Sequence, residues 1–189
     1  MAPAYRQDAS LPGVEGKACR EAGVLALLFP QADVPTLVLT VRHGYLKQHA
    51  GQISFPGGRR EEGETLQETA LREAQEEIGL APETVDVLGT LTPLYIPPSN
   101  FCVYPFVGVV SAPPTLRPTD AEVAQILHVH LPFLLDRSTR QHEPRTLHGQ
   151  EMTVPFFAVD GHQVWGATAM MLAELLALVE DAAPPQPPF

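Results

Sequence analysis

The segment spanning residues 57–80, GGRREEGETLQETALREAQEEIGL, constrains this chain more than any other. A Gly-Gly turn leads into a stretch with helical period. Leu66, Ala70, Ala74 and Ile78 recur at i, i+4 and form an apolar stripe. Glu73, Glu76 and Glu77 lie on an adjoining arc, because an α-helix turns about 100° per residue. The spacing therefore predicts a helix over residues 64–78, closed by Gly79. One side must be buried against a sheet. The other must hold three carboxylates that repel one another. A divalent cation resolves that conflict, and hard carboxylate oxygens suit Mg²⁺ or Mn²⁺ better than zinc.

The same segment resembles the Nudix box, G-x5-E-x7-R-E-U-x-E-E-x-G-U, where U is a bulky aliphatic residue. The matching letters are Gly58, Glu64, Arg72, Glu73, Glu76, Glu77 and Gly79, with Leu80 at the last U. At roughly 5–8% usage per letter, seven fixed letters match by accident at one start with a chance on the order of 10⁻⁸. Ala74 departs from the first U, and its small volume lets the helix approach its sheet more closely.

The resemblance implies a hydrolase of nucleoside diphosphates linked to another moiety. It also implies an α+β fold of the Nudix type, an α/β/α sandwich in which a mixed sheet lies between helices. By resemblance, Glu73, Glu76 and Glu77 ligate the metal, and the carbonyl of Gly57 adds an oxygen. Arg72 braces the catalytic carboxylates, and Glu64 supports it from eight residues away. Three residues are candidates for the general base that deprotonates the attacking water: Glu76 or Glu77 within the box, or Glu122 after a later loop. For Glu122 the alternative is a solvated loop acid.

Residues 39–58, LTVRHGYLKQHAGQISFPGG, resemble the motif that precedes the box in coenzyme A pyrophosphatases, L-L-T-x-R-x-x-x-L-x-x-H-x-G-x-x-x-F-P-G-G. Leu39, Thr40, Arg42, Leu46, His49, Gly51, Phe55, Pro56, Gly57 and Gly58 match, and Val38 replaces the first Leu. The implied reaction cleaves CoA or its thioesters to 3′,5′-ADP and 4′-phosphopantetheine or its acyl form. The 3′-phosphate needs a cation in an otherwise acidic protein. Arg42, Lys47, His49 and Arg59 are the substrate-binding candidates, with Arg60 beside them. His49 alone reads better as part of a polar turn, and it gains weight only from the motif it belongs to. Rival readings are another Nudix specificity, such as ADP-ribose, and a non-catalytic Nudix domain that senses a ligand. The second would show an eroded box, whereas every charged box position is intact here.

Composition bounds the partners. The net charge is −10, and seven of the 22 acids fall between Glu61 and Glu77. With only two lysines, Lys17 and Lys47, the chain is a poor general binder of nucleic acid. A small-molecule substrate is expected. The N-terminus lacks the apolar core of a signal peptide, and no apolar run reaches a membrane span. Cys19 and Cys102 are far apart in sequence and form no C-x-x-C pattern; the two could form one disulfide, but nothing in the spacing supports it, and reduced thiols in a cytoplasmic setting are the expectation.

Along the chain, residues 1–21 read as a polar arm, 22–181 as one domain and 182–189 as a Pro-rich tail. Strands are expected at 23–29, 36–42, 52–55, 85–96, 101–111 and 122–130, and as a hairpin at 152–159 and 163–164. A short helix is expected at 131–136 and a final apolar helix at 167–180, which can pack internally or across a homodimer. His128 and His130 alternate on a strand and read as structural. Tyr95, Phe101 and Tyr104 can wall a substrate arm or pack the core.

Overall fold

The computed structural model describes residues 13–44, 51–118, 122–147 and 149–182. Its frame is one mixed sheet with helices on both faces. Strands β1 (Arg20–Gln31), β2 (Val34–Arg42), β3 (Ile53–Ser54), β4 (Gly57–Arg59), β5 (Asp86–Thr90), β6 (Leu94–Ile96), β7 (Phe101–Val109) and β8 (Val123–His130) make up this sheet. β1 and β7 run parallel, and every other pairing is antiparallel. β9 (Arg140–Leu147), β10 (Gln150–Val159) and β11 (His162–Trp165) form a second, antiparallel sheet of three strands.

β1 reads as an almost unbroken apolar run because both of its faces are covered. Leu25, Leu27 and Phe29 face the helix α1 (Leu66–Ile78), whose Ala70, Ala74 and Ile78 complete that half of the core. Ala22 and Ala26 face the opposite way, with Leu37 and Leu39 of β2. There they meet Leu172 and Leu176 of α3 (Gly166–Ala182). The short helix α2 (Leu131–Leu135) adds Leu131 and Leu134 to the same half. Each of these fully buried leucines contributes about 1.5–3 kcal/mol.

Helix α1 starts two residues later than its carboxylate pattern suggests, because Thr65 caps it. The Thr65 hydroxyl accepts from the Glu68 N–H at 3.2 Å, and the Glu68 carboxylate accepts from the Thr65 N–H at 2.7 Å. Gly79 ends it in the left-handed region at φ 70°, where its N–H reaches the Gln75 carbonyl at 2.9 Å. Gly23 lets this helix lie close to β1, since a Cβ there would run into the backbone of Leu66 and Ala70.

Several expectations need correction. Residues 57–59, expected as a sharp turn, pair with Val24, Gly23 and Ala22 as β4. The expected strand at 85–96 is two short strands, β5 and β6, because residues 91–93 leave the ladder. Strand β9 was not expected at all. The polar arm ends earlier than residue 21, since Arg20 and Glu21 already belong to β1.

The cysteines also differ from expectation. Cys19 and Cys102 form a disulfide, with Cα atoms 5.8 Å apart. The parallel register sets Glu21 opposite Cys102, and this brings the start of β1 against β7. The sequence argument for reduced thiols therefore fails. Among the described residues, no helix is long and apolar enough to cross a membrane.

Candidate active site

Arg72 is the hub of the acidic helix. Its Nε donates to Glu64 Oε1 at 2.5 Å and its Nη2 to Glu64 Oε2 at 3.3 Å, a forked pair. Nη1 donates to Glu76 at 3.0 Å, and Nη2 lies 3.0 Å from Glu73. Nη2 also donates to the Arg59 carbonyl at 3.1 Å, which ties the helix to β4. Three carboxylates are thus held around one guanidinium.

These contacts divide the carboxylates electrostatically. The Arg72 hydrogen bond, joined by the Glu61 N–H and the Thr69 hydroxyl, outweighs burial and brings Glu64 down to about 2. The same contact raises Arg72 above its ordinary value. Burial pushes Glu73 up, Arg72 opposes this, and the charges of Glu76 and Glu122 add to the rise. Glu77 is 4% exposed and accepts the Gly57 N–H at 3.1 Å. Glu76 is the open member, with its side chain 57% exposed.

The turn before the helix is shaped by its glycines. Gly57 has φ 151°, which a side chain rarely tolerates, and it packs against Gly23 and Val24. A Cβ on Gly58 would strike the Glu73 carboxylate. For Gly57 the structure shows the amide engaged with Glu77, whereas the sequence reading invoked its carbonyl.

Arg42 and Glu122, assigned separately as a substrate ligand and a candidate base, meet at 2.7 Å. The loop is anchored as well, since the His43 N–H donates to the Glu122 carbonyl at 2.8 Å. Arg42 Nε is buried without a hydrogen-bond partner among the described residues. Glu122 lies near enough to Glu73 for its charge to be felt there. Of the other substrate candidates, the Arg59 side chain is exposed, while Lys47 and His49 lie outside the described residues. His128 stacks edge-on against Phe29, and His130 bonds Thr36 at 2.9 Å, so both serve the sheet.

Sequence reasoning missed three supports. Thr69 donates to Glu64 at 2.9 Å. Arg60 joins Glu21 of β1 at 2.7 Å and the Glu64 carbonyl at 2.6 Å. Arg20 stacks on Phe101, with its guanidinium 4.3 Å from the ring centre. Thr69 carried a readable signal, since it lies on the first turns of the helix only five residues after Glu64. The pairings of Arg60 and Arg20 depend on strand register and carried none.

Among the described residues, no three His, Cys, Asp or Glu side chains already close on one point. The cause is visible: Arg72 holds Glu73 and Glu76, while Gly57 holds Glu77. The donor set is still three carboxylates on one helical arc beside a glycine turn. That set fits a hard divalent ion in charge and ligand type.

A mixed sheet between helices, with an arginine-braced acidic helix packed on one face, is an α+β arrangement whose carboxylates suit a hard divalent ion. The NUDIX domain model matches residues 20–153. NudL of Photorhabdus laumondii, described as an uncharacterized Nudix hydrolase, is 37% identical over 147 residues, covering 77% of this chain and 78% of its own. NudL of Pectobacterium atrosepticum is 35% identical over 173 residues, covering 86% and 84%. The crystal structure of RenU, a Nudix hydrolase from M. smegmatis, shares the fold with a TM-score of 0.61 at 18% identity, covering 89% of this chain and 90% of that one. The chain belongs to the Nudix family. It is a Nudix hydrolase acting on a nucleoside diphosphate derivative, and members of this family generally need a divalent metal ion.

Proposed function

We propose that this hydrolase cleaves the pyrophosphate bond of coenzyme A or its thioesters, releasing 3′,5′-ADP and 4′-phosphopantetheine or its acyl form. The observation that carries this reading is the run from Leu39 to Gly58, whose residues match the motif preceding the box in CoA pyrophosphatases. Its placement supports the reading. Arg42 closes β2 against Glu122, Phe55 is buried, and Gly57 bonds Glu77. Two residues of the motif, Arg42 and Gly57, thus contact carboxylates of the acidic site.

Each residue then has a task. Glu73, Glu76 and Glu77 would hold Mg²⁺ or Mn²⁺, with an oxygen from Gly57, and would leave their present partners to do so. Once bound, the ion neutralises phosphoryl charge and polarises the reacting oxygens. Arg72 keeps the carboxylates on one side of the helix, and the forked contact with Glu64 keeps Arg72 aimed. Glu122 takes the proton of the attacking water, with Glu76 and Glu77 as the alternative bases. Arg42 sets the position of Glu122. Water adds to phosphorus, the P–O bond to the other phosphate breaks, and that phosphate leaves as an anion.

The test is a substrate panel of CoA, acetyl-CoA, dephospho-CoA and ADP-ribose with Mg²⁺ and Mn²⁺, with products identified by mass. Release of 3′,5′-ADP from CoA with the highest kcat/KM is expected. A marked preference for ADP-ribose would overturn the CoA reading in favour of another Nudix specificity. No turnover of any compound would favour a ligand-sensing domain.

A further inference from the structure

In this acidic protein most of the described arginines are matched to carboxylates: Arg42 to Glu122, Arg60 to Glu21, Arg72 to Glu64, Arg140 to Glu180 and Arg145 to Glu143. Arg20, Arg59, Arg117 and Arg137 have no carboxylate ion pair among the described residues, and of these Arg20 and Arg59 are exposed neighbours beside the acidic helix. The register places them together. Arg59 pairs with Ala22 across the antiparallel β4–β1 ladder, so the two side chains share a face. Arg20 stands two residues before Ala22 on β1 and points to that same face. The two arginines are therefore diagonal neighbours, at positions roughly 7–8 Å apart in such a pair; Arg20 leans toward Phe101 and Ser99 on the β7 side, so an anion bridging both would lie over β1.

Arg20 is held in place. It lies over Phe101, its partner in the parallel β1–β7 register, and Nη2 donates to the Ser99 carbonyl at 2.5 Å. The neighbouring Cys19–Cys102 disulfide and the Asn100 side chain, which donates to the Ala18 carbonyl at 3.3 Å, fasten the same segment. A guanidinium carries five N–H donors, so most of those on Arg20 are left for a ligand. Arg59 is coupled to the catalytic hub through its own carbonyl, which accepts from Arg72. Its strand pairs with β1 alone among the described residues, so a ligand can pass around that edge from the acidic helix. Arg42, by contrast, already has its charge met by Glu122.

We propose that Arg20 and Arg59, flanked by Phe101, form a subsite for a phosphomonoester that the nucleotide carries outside the diphosphate being cleaved. This inference rests on the CoA reading, in which that group is the 3′-phosphate, and it moves the phosphate-binding role from Arg42 to these two residues.

The test is calorimetric binding of adenosine 3′,5′-bisphosphate and adenosine 5′-monophosphate to wild type, Arg20→Ala, Arg59→Ala and Arg137→Ala. Arg137 is an arginine of the segment after α2 and controls for net charge alone. Each of the first two substitutions should weaken the bisphosphate roughly tenfold, the scale of a charge-assisted contact, and the monophosphate less than twofold. Arg20→Lys should restore part of the loss. Equal losses on both ligands, no loss, or an equal loss in Arg137→Ala would overturn the subsite. Wild-type turnover of CoA is read separately. Its absence, with the bisphosphate preference intact, would sink the CoA reading and leave the subsite standing.

Discussion

Glu64 shows how one residue in this site can matter without touching the reaction. Its carboxylate is held down to about 2 by Arg72, against an ordinary value of 4.5. A depressed carboxylate contributes stability that is fully present above the unfolded pKa and is lost as pH falls toward the folded one. The window is therefore about pH 4.5 down to about pH 2. Thermal melts across that range should show wild type losing its advantage over Glu64→Gln as pH drops, with the two converging near the acid end. Parallel curves would mean that the Arg72–Glu64 pair is not coupled to folding. Glu73 works in the opposite direction, because burial raises it, so its protonation on acidification offsets part of the loss.

At the level of elements, helix α1 is positioned by glycines that meet different neighbours. A Cβ on Gly23 would meet the helix backbone at Leu66 and Ala70, which cannot move without shifting the helix. A Cβ on Gly58 would meet only the end of the Glu73 side chain. Gly23→Ala should therefore destabilise the fold by about 1–3 kcal/mol in a urea titration. Gly58→Ala should leave the denaturation midpoint close to wild type and lower kcat by about tenfold to a hundredfold through displacement of Glu73. A Gly58→Ala enzyme of normal kcat would remove Glu73 from the working site. The helix itself was readable in detail, with its stripe, its carboxylate arc and its closing glycine, because all of these are local periodicities. Its cap at Thr65 was equally local, yet the reading began the helix two residues too early, at Glu64. β4 and β9 were not readable. β4 contains Gly57 and Gly58, poor strand formers, and is a strand only because β1 offers it a ladder. β9, RQHEPRTL, has no apolar period and depends on pairing with β10.

Across the whole molecule, the Cys19–Cys102 disulfide joins points 83 residues apart and locks the first strand to β7. A closed loop of that size removes about 4 kcal/mol of chain entropy from the unfolded state. Dithiothreitol, or the Cys19→Ser/Cys102→Ser variant, should lower the melting temperature by several degrees, with thiol labelling confirming two free thiols after reduction. An unchanged melt with both thiols labelled would show that the link contributes nothing to stability.

From the residues alone came the acidic helix, its metal-suited carboxylates, the Arg72–Glu64 spacing and the resemblance to a family. All of these lie within one helix and its preceding turn, where geometry follows from residue number. Only the tertiary structure decided that Arg42 meets Glu122, that Arg60 meets Glu21, that Cys19 reaches Cys102 and that Arg20 stands beside Arg59. These pairs lie on or beside different strands, and their meeting depends on strand order and register. A one-residue change of register would send every one of those side chains to the other face of the sheet. The acidic helix is thus a local inheritance of the chain, whereas its surroundings are settled by how the sheet is assembled.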